Sequence, residues 1–214
     1  MDTTINVGYS SVQVATEQIA LEAKQRVFAI IPNFYVVYDR HPEPLTAKLK
    51  FELALRLARD PIPPVGIAFV AGVRQAAYSP NYQQNAKGYG QRFGVTAANG
   101  LTDIMLGSAL LPSLLHQDPR YFYQGTGTKT SRLFHALSYP VFCQGDNGHQ
   151  QLNYSNLIGD LGSAAISKTY YPRSNRGASL VFGNFAIGIA ESAIYGLAEK
   201  FLLRRLTSKV KSSN

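Results

Sequence analysis

The chain has 214 residues, 21 Lys and Arg against 13 Asp and Glu, and a formal net charge of +8, yet charged residues make up only 16%. That charged fraction is well under the roughly 25% of an ordinary soluble domain. With 45% hydrophobic residues and a single cysteine, the composition excludes a disordered acidic chain, a collagen-like repeat, a disulfide-stapled miniprotein and any multi-thiolate metal site.

In chain order, residues 1–43 read as an N-terminal arm. Met1 to Ser11 is polar, so no secretory leader is expected there. Thr3 to Tyr9 alternates like a short strand, and Thr16 is placed to cap a short amphipathic helix over Glu17 to Val27. Ile30 to Tyr38 is extended and aromatic, with Pro32 opposing a helix.

A helical domain is expected over 44–206, followed by a basic tail, 207–214, that carries Lys209 and Lys211. Thr46 caps a helix over Ala47 to Arg59, closed by Asp60-Pro61. Lys48, Glu52 and Arg56 share one face, and Leu49, Leu53 and Leu57 the other. Further helices are predicted over Pro64 to Tyr78 and over Ala86 to Leu115, the latter kinked by Pro112. One more lies between Thr130 and Pro140. Asp146-Asn147-Gly148 marks a tight turn joining Val141-Phe142 to Leu152-Asn153. Ser155 caps a helix to about Tyr170, and the last runs from Leu180 to Leu206. The fold class is therefore all-α, with five to six helices, an extended arm and one short hairpin.

Small residues recur every four positions: Ala68, Gly72, Ala76; Gly90, Gly94, Ala98; Gly159, Ser163, Ser167; Gly188, Ser192, Gly196. Each set falls on one helical stripe, where backbones can approach closely. An interior glycine costs about 0.5–1 kcal/mol against alanine, so these stripes are expected to be packing faces. The last helix is the one serious candidate for a membrane span, but Asn184, Gly188, Glu191, Tyr195 and Glu199 form a polar stripe along it. A core or interfacial helix fits that stripe better than a span.

The chemical motifs are weak. Gly88-Tyr89-Gly90-Gln91-Arg92-Phe93-Gly94 has the wrong spacing for a dinucleotide fingerprint and follows no strand. Gly125-Thr126-Gly127-Thr128-Lys129-Thr130 lacks the glycine a phosphate loop needs before its lysine, and reads as a flexible loop capping the next helix. Cys143, Asp146 and His149 are spaced by three, but the turn accounts for the Asp, and His116 and His135 stand at no favoured spacing. No metal and no cofactor are expected. The densest polar segment runs from His116 to Tyr123, where His116, Asp118, Arg120 and Tyr121 are the candidate catalytic residues: a base, an orienting carboxylate, an anion clamp and a proton donor. The simpler reading is a turn after the long helix, anchored by aromatics. Basic residues are scattered apart from Arg204-Arg205 and the tail, so no nucleic acid is expected as partner.

The ordered motifs Ile31-Pro32-Asn33-Phe34-Tyr35-Val36, Pro44-Leu45-Thr46-Ala47-Lys48, Gly88 to Gly94, Leu111 to Tyr123, Cys143 to Gly148, Asn153-Tyr154-Ser155-Asn156 and Tyr170-Tyr171-Pro172 carry a resemblance. Over about residues 17–206 the chain resembles the C-terminal helical region of a bacterial family of uncharacterised proteins, named for an N-terminal carboxypeptidase-regulatory-like β-sandwich. The resemblance implies export to the cell envelope, with residues 1–15 as the remnant of a sandwich strand, and it implies no activity. The expected function is a non-catalytic, envelope-associated helical module with a structural or interaction role, whose partner is a membrane surface or a second copy of the chain. The alternative is an enzyme or small-ligand binder using His116–Tyr123.

Overall fold

The structure is a computed structural model and describes residues 10–39 and 42–208. The alternating segment Thr3 to Tyr9 and the lysines of the basic tail lie outside the described residues. Seven helices stand among those described, where five to six were expected. They are α1 (Ser11–Glu22), α2 (Ala47–Arg59), α3 (Pro63–Ala76), α4 (86–114), α5 (Lys129–Ser138), α6 (Tyr154–Ser167) and α7 (Ala178–Leu206). The difference arises at α1. It buries Ala15 and Ile19 in one cluster with Phe34, Leu45, Leu49 and Leu53, so it belongs to the helical body.

Helix starts follow side-chain capping, with two corrections. Ser10 rather than Thr16 caps α1, forming a reciprocal capping box with Gln13. Thr16 sits inside the helix and donates its hydroxyl back to the Val12 carbonyl at 2.7 Å. Asn153 rather than Ser155 caps α6, accepting from the Asn156 N–H, because the Ser155 hydroxyl and N–H are both spent on Gln117 Oε1. Thr46, Asn85 and Thr128 cap α2, α4 and α5. Helix α4 does not simply kink at Pro112. It passes from α-helix (Ala86–Asp103) through a π-helical stretch, Ile104–Leu110, into Leu111–Leu114. A proline cannot donate to the preceding turn, and the wider π register just before Pro112 accommodates that loss. A second π-helical stretch, Glu199–Leu203, interrupts α7.

The strands are short. β1 (Arg26–Val27) lies between β2 (Ile31–Pro32) and β7 (Thr207–Ser208), antiparallel to both. β3 (Val36–Val37) pairs in parallel with β4 (Tyr121–Phe122). β5 (Phe142–Gln144) and β6 (Gln150–Leu152) form the expected hairpin, with Gly148 at φ 79° in its turn. The molecule is thus mostly helical, and its two ends are joined through β1 and β7.

Helix α3 packs on α4, α6 on both α4 and α7, and α5 on α7. Three of the stripe glycines sit at close contacts. A Cβ on Gly159 would lie 2.8 Å from Gly107 Cα in the π stretch of α4, one on Gly196 2.5 Å from the Ala136 carbonyl of α5, and one on Gly188 2.8 Å from Asp160 Oδ1. Ser192 is half-buried. Gly72, Gly90 and Gly94 depart from the expectation: a Cβ on any of them would meet nothing within 4 Å. The buried face of α4 is the neighbouring stripe of Gly88, Arg92 and Val95, which turns Gly90 and Gly94 outward. Arg92 is fully buried and donates to the carbonyls of Pro80, Tyr82 and Gln83 and to Gln75 Oε1, so the glycine-rich segment belongs to a structural helix.

Beside the apolar core, several large charged and polar side chains are buried while many large apolar ones are exposed, which is unusual for a water-soluble domain. The largest fully buried side chains include Arg92, Arg120, Lys50, Gln117 and Glu199. Meanwhile Phe69 is 73% exposed, Phe134 67%, Phe182 66% and Leu114 65%. On α3, Val65, Phe69 and Val73 recur every four residues and form one exposed apolar stripe. Helix α7 is the one helix among the described residues long and apolar enough to cross a membrane, and almost none of its most apolar stretch is buried.

Candidate functional site

The most developed polar site is a groove of about 220 Å³ between α3, α4, α6 and α7. Its walls are apolar, with Ile67 and Val70 on α3 and Ile187 on α7. Its floor is acidic, with Asp103 from α4 and Asp160 from α6, while Glu191 of α7 stands at the rim. The close Gly159–Gly107 approach brings α6 against α4, and Gly188 supplies the space that the Asp160 carboxyl occupies. Two of the glycine stripes therefore serve this site directly.

Asp103 and Asp160 face each other in the groove, and two buried carboxyls within reach of one another favour holding a proton between them over ionising together. Burial, then the neighbouring Asp103, pushes Asp160 up to about 8. Burial raises Asp103 as well, and burial followed by Asp103 raises Glu191. Asp160 Oδ2 also accepts from Asn156 Nδ2 at 3.1 Å. The cation lining the groove, Arg74, points its guanidinium to Tyr171 Oη at 2.8 Å and Thr96 Oγ1 at 3.3 Å. Asn99 donates to the same Tyr171 oxygen and accepts from Tyr170 Oη at 2.6 Å. The groove can hold a proton and accept hydrogen bonds from a cationic or hydroxyl-bearing group. In the sequence the one signal of this groove is a lone acid in each of several apolar helices, Asp103, Asp160 and Glu191.

The structure does not assemble the sequence-predicted residues His116, Asp118, Arg120 and Tyr121 into one site. The His116 side chain is 83% exposed and has left-handed backbone, with Nδ1 3.7 Å from Asp146. Arg120 is fully buried and saturated. It makes a two-pronged pair with Asp118, bonds both oxygens of Glu22 at 3.1 and 3.2 Å, and donates to the Glu43 carbonyl. Tyr121 is buried against Tyr139 and Tyr195. Two carboxylates and one guanidinium form a staple between α1 and the segment before β4, and burial lifts Glu22 to about 7 in spite of Arg120. Lys50, also buried, performs the same task between α2 and the hairpin, reaching Asp146 at 2.8 Å and the Pro112 carbonyl at 3.1 Å.

Among the described residues no group of three or more His, Cys, Asp or Glu is placed to hold a metal ion. Cys143 and Asp146 are accounted for by packing and by Lys50; burial pushes the Cys143 thiol up to about 12. A further buried acid, Glu199, opens the π stretch of α7 and accepts from Tyr38 Oη at 3.0 Å and Asn33 Nδ2 at 3.3 Å. It links α7 to the N-terminal extended segment. No family model, no curated protein and no solved structure matches the chain.

Proposed function

We propose that the chain is a non-catalytic helical module that seats its apolar helix faces on a membrane surface of the cell envelope. The observation that carries this reading is the outward-facing apolar surface of Phe69, Phe134 and Phe182, beside an interior that holds Arg92, Arg120, Lys50 and Glu199. Exposed apolar faces on α3, α5 and α7 would be costly in water, at about 25 cal/mol per Å², and isolated exposed side chains would not fall in helical stripes. The charge balance agrees, since a net +8 suits the anionic side of a bilayer. The cell-envelope setting rests on the family resemblance stated above.

Phase partitioning of the full chain in a clouding detergent, with size measurement in parallel, tests the reading. Recovery in the detergent phase is expected. Recovery in the aqueous phase as a monomer would overturn it, and recovery there as a dimer would put a second copy on the same faces.

A second reading is supported by the groove: a site for a small cationic or polyhydroxyl ligand, held by the proton-sharing pair Asp103 and Asp160. It takes the place of a site at His116–Tyr123, whose Arg120 and Asp118 are spent on each other and on Glu22. Thermal-shift screening against amines and polyols checks it, with a shift expected that Asp160→Asn abolishes.

A further inference from the structure

The N-terminus of α5 and the C-terminal end of α7 bring basic side chains together. Lys200 and Arg204, one turn apart on α7, both lie over the ring of Tyr123, with Lys200 Nζ 4.2 Å and Arg204 Cζ 4.8 Å from its centroid. Lys200 is only 5% exposed, and its ammonium donates to the Gln124 carbonyl in the loop leading into α5. Arg132, from the first turns of α5, adds its charge to the same locus, and its buried Nε has no hydrogen-bond partner.

Among the described residues no carboxylate forms an ion pair with these charges. The ion pairs found there involve Arg26, Lys50, Arg56, His116 and Arg120. Helix α5 has no acidic residue in its first turn, so the positive end of its dipole adds to the same side of the balance. The C-terminal dipole of α7 favours Arg204, but it does not account for Arg132, which stands at the wrong end of its own helix. Burial first, and after it the charges of Arg132 and Arg204, push Lys200 down to about 8. On the outer side stand Phe201 and Leu202, both more than half exposed.

We propose that Arg132, Lys200 and Arg204 form a binding site for a phosphate group beside Tyr123. Three cations on two helices offer a dianion or a phosphodiester several charge-assisted hydrogen bonds, and two guanidinium forks match the geometry of phosphate oxygens. The phosphate could be carried by a lipid headgroup, with Phe201 and Leu202 against the acyl chains, or by a soluble phosphate compound. The site does not depend on the membrane reading.

The test uses the full chain, titrated with inorganic phosphate and followed by amide NMR shifts of Gly125 and Gly127, and separately mixed with vesicles of phosphatidylcholine alone or with phosphatidylglycerol. Saturable phosphate binding is expected. Arg132→Ala with Arg204→Ala should weaken it by about tenfold or more, and Arg56→Ala with Lys168→Ala, which removes the same charge elsewhere, should leave it unchanged. Loss of preference for phosphatidylglycerol in the first pair assigns the site to a headgroup; an unchanged preference with lost phosphate binding assigns it to a soluble phosphate. The Arg132/Arg204 pair should fold normally and melt close to the parent in phosphate-free buffer, because the repulsion removed offsets the lost stacking of Arg204 on Tyr123. Absence of saturable phosphate binding together with equal vesicle binding by both pairs would overturn the proposal. Failure of the membrane reading is distinguishable, since Phe69→Ser and Phe182→Ser should reduce binding to phosphatidylcholine and leave the phosphate titration untouched.

Discussion

Gly188 of α7 stands directly over the carboxyl of Asp160 of α6: a Cβ there would lie 2.8 Å from Oδ1 and 3.1 Å from Oδ2. A helical glycine, a buried acid and the spacing of two helices are thereby fixed as one arrangement. Gly188→Ala must push Asp160 off Asp103 or move α7. Overpacking of this kind costs about 1–3 kcal/mol. Chemical denaturation should show that loss, whereas Gly90→Ala and Gly94→Ala, with open space at their Cβ positions and helical backbone, should stabilise by about 0.5–1 kcal/mol each.

The proton shared by Asp103 and Asp160 sets a pH dependence. Asp160 titrates at about 8 in the fold, far above the ordinary aspartate value of 3.8 that holds in the unfolded chain, so the native state holds this proton more tightly. The resulting stabilisation is fully present below the unfolded value and is lost as pH rises through the folded one. Melting temperature should therefore fall across pH 4 to 8, and Asp160→Asn should flatten much of that slope. Glu22, lifted to about 7 in the Arg120 staple, contributes in the same direction, and Glu22→Gln should remove its share.

Arg120 and His116 should separate sharply. Arg120→Met leaves Glu22 and Asp118 buried without their cation, a situation that costs about 3–5 kcal/mol. His116→Ala alters an exposed side chain and should stay within about 0.5 kcal/mol of the parent. Equal effects in equilibrium unfolding would count against the staple.

Cys143 should resist alkylation. Its side chain is buried and its thiol is pushed up to about 12, so little thiolate exists at neutral pH. Iodoacetamide is expected to label it slowly in buffer and readily in denaturant; rapid labelling of the native protein would show that the hairpin opens.

Much of the helical framework was legible in the residues. Thr46, Asp60-Pro61 and the leucines at 49, 53 and 57 set the bounds of α2, and Asp146-Asn147-Gly148 set the hairpin, because caps, prolines and turns act locally. The misplaced starts of α1 and α6 arose where a hydroxyl had two possible tasks, and only the distant partner, Gln117 for Ser155, decided between them. The site was less legible. Asp103 and Asp160 are 57 positions apart and meet only because glycines on α6 and α7 admit close packing, while the staple joins Arg120 to Glu22 across 98. The glycine stripes announced close contact without saying which faces would use it, so Gly159, Gly188 and Gly196 found partners while Gly90 and Gly94 turned outward.

Vesicle flotation tests the central claim most directly. The full chain, mixed with phosphatidylcholine–phosphatidylglycerol vesicles and centrifuged through a density gradient, should rise with the lipid, and a Phe69→Ser, Phe134→Ser, Phe182→Ser variant with unchanged circular dichroism should remain below. A parent protein that stays at the bottom as a monomer, or a variant that floats equally well, would contradict a membrane-seated module.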